Sequence, residues 1–108
     1  MMSDYIQLQI TFPSEESAHQ TAEKLVSEKL AACAQVCGSI CSYYVWQGKN
    51  EKNTETLLLA KTKLPLFEKI VEAVRSGHPY KCPQIVALPI VVCNNDYARW
   101  LDEQLNFS

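Results

Sequence analysis

The sequence predicts an α+β sandwich of the ferredoxin-like βαββαβ type, carrying a long hairpin between its second and third strands and an extra C-terminal helix. Three observations predict it. An alternating apolar run near the N-terminus stops at a proline, three segments space their apolar residues at a helical period, and a stretch rich in β-branched, aromatic and cysteine residues is followed by a second apolar run. With 108 residues, the chain suits one domain, 1–108, built on a single core.

"YIQLQITF", Tyr5 to Phe12, alternates apolar and polar side chains up to Pro13 and predicts the first strand. Ser14 is placed to cap a helix, and Glu15 and Glu16 suit the positive end of its dipole. Ala18, Ala22, Leu25 and Val26 make the apolar face of that helix, which should run to about Lys29. From Ala32 to Trp46, "ACAQVCGSICSYYVW" predicts the first arm of the hairpin, with a bulge at Gly38. The polar "QGKNEKN" then separates it from the second arm, "TETLLLAKT" at Thr54 to Thr62. Pro65 suits the first turn of the next helix, whose face is Phe67, Ile70, Val71 and Val74, and Gly77 stands where a left-handed cap would stop it before His78. "QIVALPIVV" reads as a strand apolar on both faces, in which Pro89, lacking an N–H, requires an edge or a bulge. Asn94 or Asn95 then caps a last helix with a buried stripe of Tyr97, Trp100, Leu101 and Leu105. The order of these elements is that of the split βαβ motif.

Such a sheet has two helices on one face and leaves the other in need of cover. The apolar hairpin arms "SYYVW" and "TLLLA" exceed what a small sheet uses, so self-association is the expected way to bury them and to protect the sheet edges. Tyr43, Tyr44 and Trp46 accordingly read as subunit contacts rather than as a stacking platform.

Hydrophobic residues make up 47% and only three glycines occur, a globular rather than a disordered composition. Ten basic against twelve acidic residues give a net charge of −2 without a basic block, which argues against nucleic acid as a partner. The N-terminal residues lack the basic flank and apolar core of a secretory signal, and the longest apolar run is far below the ~20 residues that span a bilayer. A cytoplasmic protein without membrane insertion is expected. Five cysteines, an odd number without a signal peptide, fit reduced thiols better than a disulfide framework.

The chemistry-bearing residues are few. Cys33, Cys37 and Cys41 are spaced by four; on a strand they share a face but lie ~13 Å apart at ~3.3 Å per residue, so small buried hydrophobes are the plainer reading. His78 and Cys82 lie in a loop free to bring imidazole and thiolate together, good ligands for copper and zinc, although two ligands alone make no site and a turn histidine is the plainer reading. His19 falls in the polar register of the first helix and should face solvent. Cys33 and His78 also have the composition of a nucleophile and base, but no accompanying Asn, Asp or oxyanion loop is evident, so no enzymatic role is assigned. Lys61, near a strand end, is either an exposed terminus or a cation reaching into a cleft. Nucleotide-binding glycine loops and CxxC pairs are absent from the sequence.

Beyond these readings, "SEKLAACAQV", "SYYVWQGK", "LLLAKT", "HPYKCPQIVALPI" and "DYARWL" occur in an order and spacing that resembles the CutA divalent-cation-tolerance proteins. The resemblance implies a ferredoxin-like subunit in a tight homotrimer with interlocking hairpins, similar to PII-type signalling proteins. It also implies a response to copper or another divalent cation, with no obligatory cofactor and no established catalysis. Cys33 and His78 are the metal ligands it suggests, with Cys82 added from the loop reading, while Trp46, Lys61, Tyr80, Tyr97 and Trp100 match positions around an intersubunit cleft. The family's usual glutamate after "HPYxxP" is Gln84 here, the acid before the glycine of "WxGK" is Gln47, and a usual proline is Cys37; Lys81 is a further departure. Losing carboxylates and gaining Cys37, Cys41 and Cys82 shifts any site toward soft ions such as Cu(I) or Zn²⁺. The alternative expectation is a PII-like signalling or scaffold trimer whose cleft takes a small ligand or a protein partner.

Overall fold

The alternation in the N-terminal run sets the sheet. In the computed structural model, which describes residues 4–105, Tyr5–Phe12 forms β1, and its Ile6, Leu8, Ile10 and Phe12 turn into the core. Ser14 accepts a hydrogen bond from the Ser17 N–H and opens α1, Glu15–Ser27. A long hairpin follows, β2 at Cys33–Trp46 and β3 at Lys49–Lys63. One 3₁₀ turn, Leu64–Leu66 with Pro65 inside it, leads into α2, Phe67–Arg75. The chain ends in β4, Ile85–Pro89, and α3, Asn95–Gln104. The strands are ordered β2-β3-β1-β4 with all three pairings antiparallel, so the predicted α+β class and ferredoxin-like order hold.

Register assigns the two sheet faces. Leu8 pairs with Ala60 and Ile10 with Leu58; these residues join Ala18 and Leu25 of α1 and Ile70 and Val74 of α2 in one buried cluster. Tyr5, Gln7, Gln9, Leu57, Leu59, Lys61, Cys33, Val86 and Leu88 take the opposite face by the same pairings. α3 closes one end of that second face. Asp102 accepts from Tyr5 Oη at 2.9 Å and pairs with Lys63 Nζ at 3.0 Å, while the Tyr97 hydroxyl lies 3.2 Å from Cys33 Sγ.

Several local expectations change. The hairpin turn is only Gln47 and Gly48, with φ of 51° and 80°, so "KNEKN" belongs to β3 rather than to a loop. Two central residues with positive φ match the right-handed strand twist, which lets the ladder run to Trp46 paired with Lys49. The bulge predicted at Gly38 lies between Cys37 and Ser39 in the register. Its extra residue inverts the alternation, so Cys41 sits on the face opposite Cys33 and Cys37 and the three thiols do not share one. α1 stops at Ser27, with Lys29 at φ 59°, and Val26 is exposed while Thr21 takes the buried place. Gly77 is not among the positive-φ residues; α2 closes through hydrogen bonds from the Ser76 N–H to Glu72 and the Gly77 N–H to Val74. β4 is shorter than predicted and pairs only with β1, which gives Pro89 its edge position; Val91 and Val92 beyond it are 84% and 82% exposed. In α3, Leu101 and Leu105 are buried but Trp100 is exposed, and Asn94 occupies the cap position without a side-chain bond.

Candidate functional site: a hairpin cleft and a thiol beside the last helix

The predicted site residues fall into two places. Trp46, Tyr80 and Cys82 gather with Thr11, Ser42, Tyr44, Glu55, Lys81 and Gln84 around a cleft of about 620 Å³ between the hairpin and the loop after α2. Cys33, Lys61, Tyr97 and Trp100 lie instead at the α3 end of the sheet, where Lys61 pairs with Cys33 across β2 and β3 and its Nζ donates to Gln35 Oε1 at 3.3 Å. The Tyr97 and Trp100 rings stand 5.5 Å apart.

His78 fastens the loop. Its Nε2 lies 2.8 Å from the Thr11 carbonyl oxygen and so carries the proton, while Nδ1 accepts the Tyr80 N–H at 3.0 Å. The ring stacks on Phe12 at 4.5 Å between centroids. Both nitrogens are therefore engaged within the chain, and binding an ion would require one bond to open. The fastened loop delivers Tyr80 to the cleft, where its hydroxyl donates to Glu55 Oε2 at 2.7 Å. Burial first, then this hydrogen bond, holds the Tyr80 phenol well above its usual range.

Cys33 and His78 do not meet within one chain. Cys33 pairs with Lys61, which pairs with Gln7, whereas His78 is anchored at Thr11, four residues and about 13 Å farther along β1. Among the described residues, no three His, Cys, Asp or Glu side chains converge in a geometry that could hold a metal ion. Cys33 is half-buried beside Tyr97, whose phenol is pushed up to about 12 by burial and by its bond with the thiol. Cys82 is exposed at the cleft, Cys93 is half-buried near Tyr5 and Lys63, and all five cysteines are free.

Glu55 is the residue that sequence reasoning missed. An acid in register with Leu57 and Leu59 on one face of a strand was the available signal, because a charge in an apolar row needs a partner.

The model of the CutA1 divalent ion tolerance protein family matches residues 6–104, a span holding every element from β1 to α3 except Tyr5, the first residue of β1. The chain belongs to this family. It is 48% identical over 94 residues to the divalent-cation tolerance protein CutA of Thermus thermophilus, spanning 87% of this chain and 91% of that protein. A structure of the divalent cation tolerance protein Cut A1 from Thermus thermophilus superposes with a TM-score of 0.92 at 44% identity, covering 94% of this chain and 99% of that one. Protein CutA, chloroplastic, of Arabidopsis thaliana is 39% identical over 92 residues, which are 85% of this chain and 50% of that protein. The structure of the periplasmic divalent cation tolerance protein CutA of Archaeoglobus fulgidus gives a TM-score of 0.89 at 35% identity over 93% of this chain and 97% of that one. The names of these family members place them in different compartments. In this chain, no helix among the described residues is long and apolar enough to cross a membrane.

Proposed function

We propose that this protein acts in tolerance of divalent cations as a cytoplasmic homotrimer, taking copper or another thiol-seeking ion at positions completed by more than one subunit, with no obligatory cofactor and no catalytic role. The observation that carries the tolerance role is the family match across residues 6–104. The trimer is supported by the apolar surface one chain leaves open: Tyr43, Val45 and Trp46 on the hairpin, and Val86 and Leu88 on the edge strand. Cys33 and Cys82 are the ligands we favour, because thiolates suit soft ions: Cys82 is exposed, and Cys33, half-buried, would have to give up only its bond with the Tyr97 hydroxyl. His78 joins them only if it gives up Thr11 or Tyr80.

Sedimentation equilibrium should return the mass of three chains. Titration with Cu(I) and Zn²⁺ should then lose stoichiometry or affinity in Cys33→Ala or Cys82→Ala. Unchanged binding in both, and in His78→Ala, would overturn the metal assignment.

A second reading is favoured by the cleft itself, whose volume and mixed polar and aromatic walls suit a small ligand in the manner of a PII-like signalling trimer. Lys61 and Trp100 do not line that cleft in one chain, so they take part only if a neighbouring subunit brings them there.

A further inference from the structure

Glu55 is a carboxylate whose setting is incomplete. It lies near the base of the hairpin, only 7% exposed, and receives one hydrogen bond, from the Tyr80 hydroxyl. Among the described residues no Lys, Arg or His comes within ion-pair distance of it; the ion pairs present belong to Lys63 and Arg99. Lys81 lines the same cleft but is exposed and makes no such pair. A buried carboxylate held by a single neutral donor keeps much of its desolvation cost, and a cation is what offsets that cost.

The surroundings narrow the kind of cation. Tyr44, Trp46 and Tyr80 share the cleft with Glu55, and aromatic rings attract an organic ammonium through their faces while covering its apolar body. Asn53 donates to the Tyr44 hydroxyl and His78 holds the Tyr80 backbone, so two of the three rings are fixed in position. A hydrated inorganic ion fits this lining poorly, because a small hard cation prefers several oxygen ligands and here one carboxylate is present. We propose that the cleft binds a small organic cation, a protonated amine with an apolar body, whose ammonium pairs with Glu55 and whose body lies against Tyr44, Trp46 and Tyr80. This deepens the cleft-ligand reading and rests on it; it requires no metal ion, although Cys82 lines the same cleft.

The test uses three probes of matched shape and different charge, benzylamine, benzyl alcohol and benzoate, on the full-length protein in the presence of EDTA. The chain has two tryptophans, so Trp100→Phe leaves Trp46 as the sole fluorescent reporter. Benzylamine should bind saturably and at least tenfold more tightly than the other two. Glu55→Gln, which keeps the shape and removes the charge, should weaken benzylamine at least tenfold and leave benzyl alcohol unchanged. Trp46→Leu, a position outside the hydrophobic core but on the hairpin surface assigned to the trimer, should weaken benzylamine by calorimetry while sedimentation shows the native assembly kept; undiminished binding would remove Trp46 from the site. Equal binding of benzylamine and benzyl alcohol would overturn the organic-cation assignment and leave the cleft-ligand reading standing; no binding of any probe would overturn both. If Glu55→Gln instead dissociates the native assembly, the missing cation comes from a second copy of the chain and the proposal falls.

Discussion

Thr62 shows what one side chain does in this fold. It is fully buried, and its hydroxyl donates to the Leu30 carbonyl at 2.6 Å, tying the loop after α1 to β3. Thr62→Val keeps the shape but orphans that carbonyl, and should cost about 1–3 kcal/mol, read as a lower denaturation midpoint at fixed protein concentration. Asp102 acts through charge. Its carboxyl is held below the ordinary value by the hydrogen bond from Lys63, supported by Tyr5, and Lys63 is raised in return by the same bond. A depressed acid contributes stability that is complete above its unfolded value and lost as pH falls through the folded one. The difference in stability between the wild type and Asp102→Asn should therefore be steady at neutral pH and shrink from about pH 4 downward. A raised lysine has the opposite sense, so the Lys63 share fades only as pH rises above the ordinary lysine range. Asp102 is nearly half exposed, so the pair should be worth no more than about 1 kcal/mol; a pH-independent difference would contradict the assignment.

At the scale of elements, periodicity was a reliable guide wherever one face meets the core. β1 and the buried positions of α2 follow it because a one-residue slip would turn their apolar set to water. The hairpin was harder to delimit, since a polar stretch such as "KNEKN" is compatible with a loop until a two-residue turn commits it to the ladder. Gly48 has φ 80° and open space where a side chain would go, so Gly48→Ala should cost about 1–2 kcal/mol from backbone conformation alone. Gln47→Asn, better suited to positive φ, should raise the melting temperature by a degree or more; no gain would mean that the turn is not limited by this residue. At the entrance to α1, Ser14→Ala removes the acceptor for the Ser17 N–H and should cost about 1 kcal/mol in thermal unfolding.

For the whole molecule, the apolar surface left open by one chain predicts that stability depends on assembly. The melting temperature should rise with protein concentration, as it does when folding and association are linked, and a constant value across a hundredfold dilution would argue for a self-sufficient monomer. The sequence by itself determined the α+β class, the four strands and three helices, the family, and the burial of the β1 and α2 faces, because these depend on local spacing and on motifs contiguous in the chain. Only the tertiary structure decided which chemistry-bearing residues are neighbours. It separated Cys33 from His78 by placing them at different ends of β1, moved Cys41 to the other sheet face through one bulged residue, and closed both nitrogens of His78 on Thr11 and Tyr80. It also brought Glu55 under Tyr80, 25 residues away in the chain. Register and the path of a loop set those distances, and neither is written in the spacing of residues along one strand.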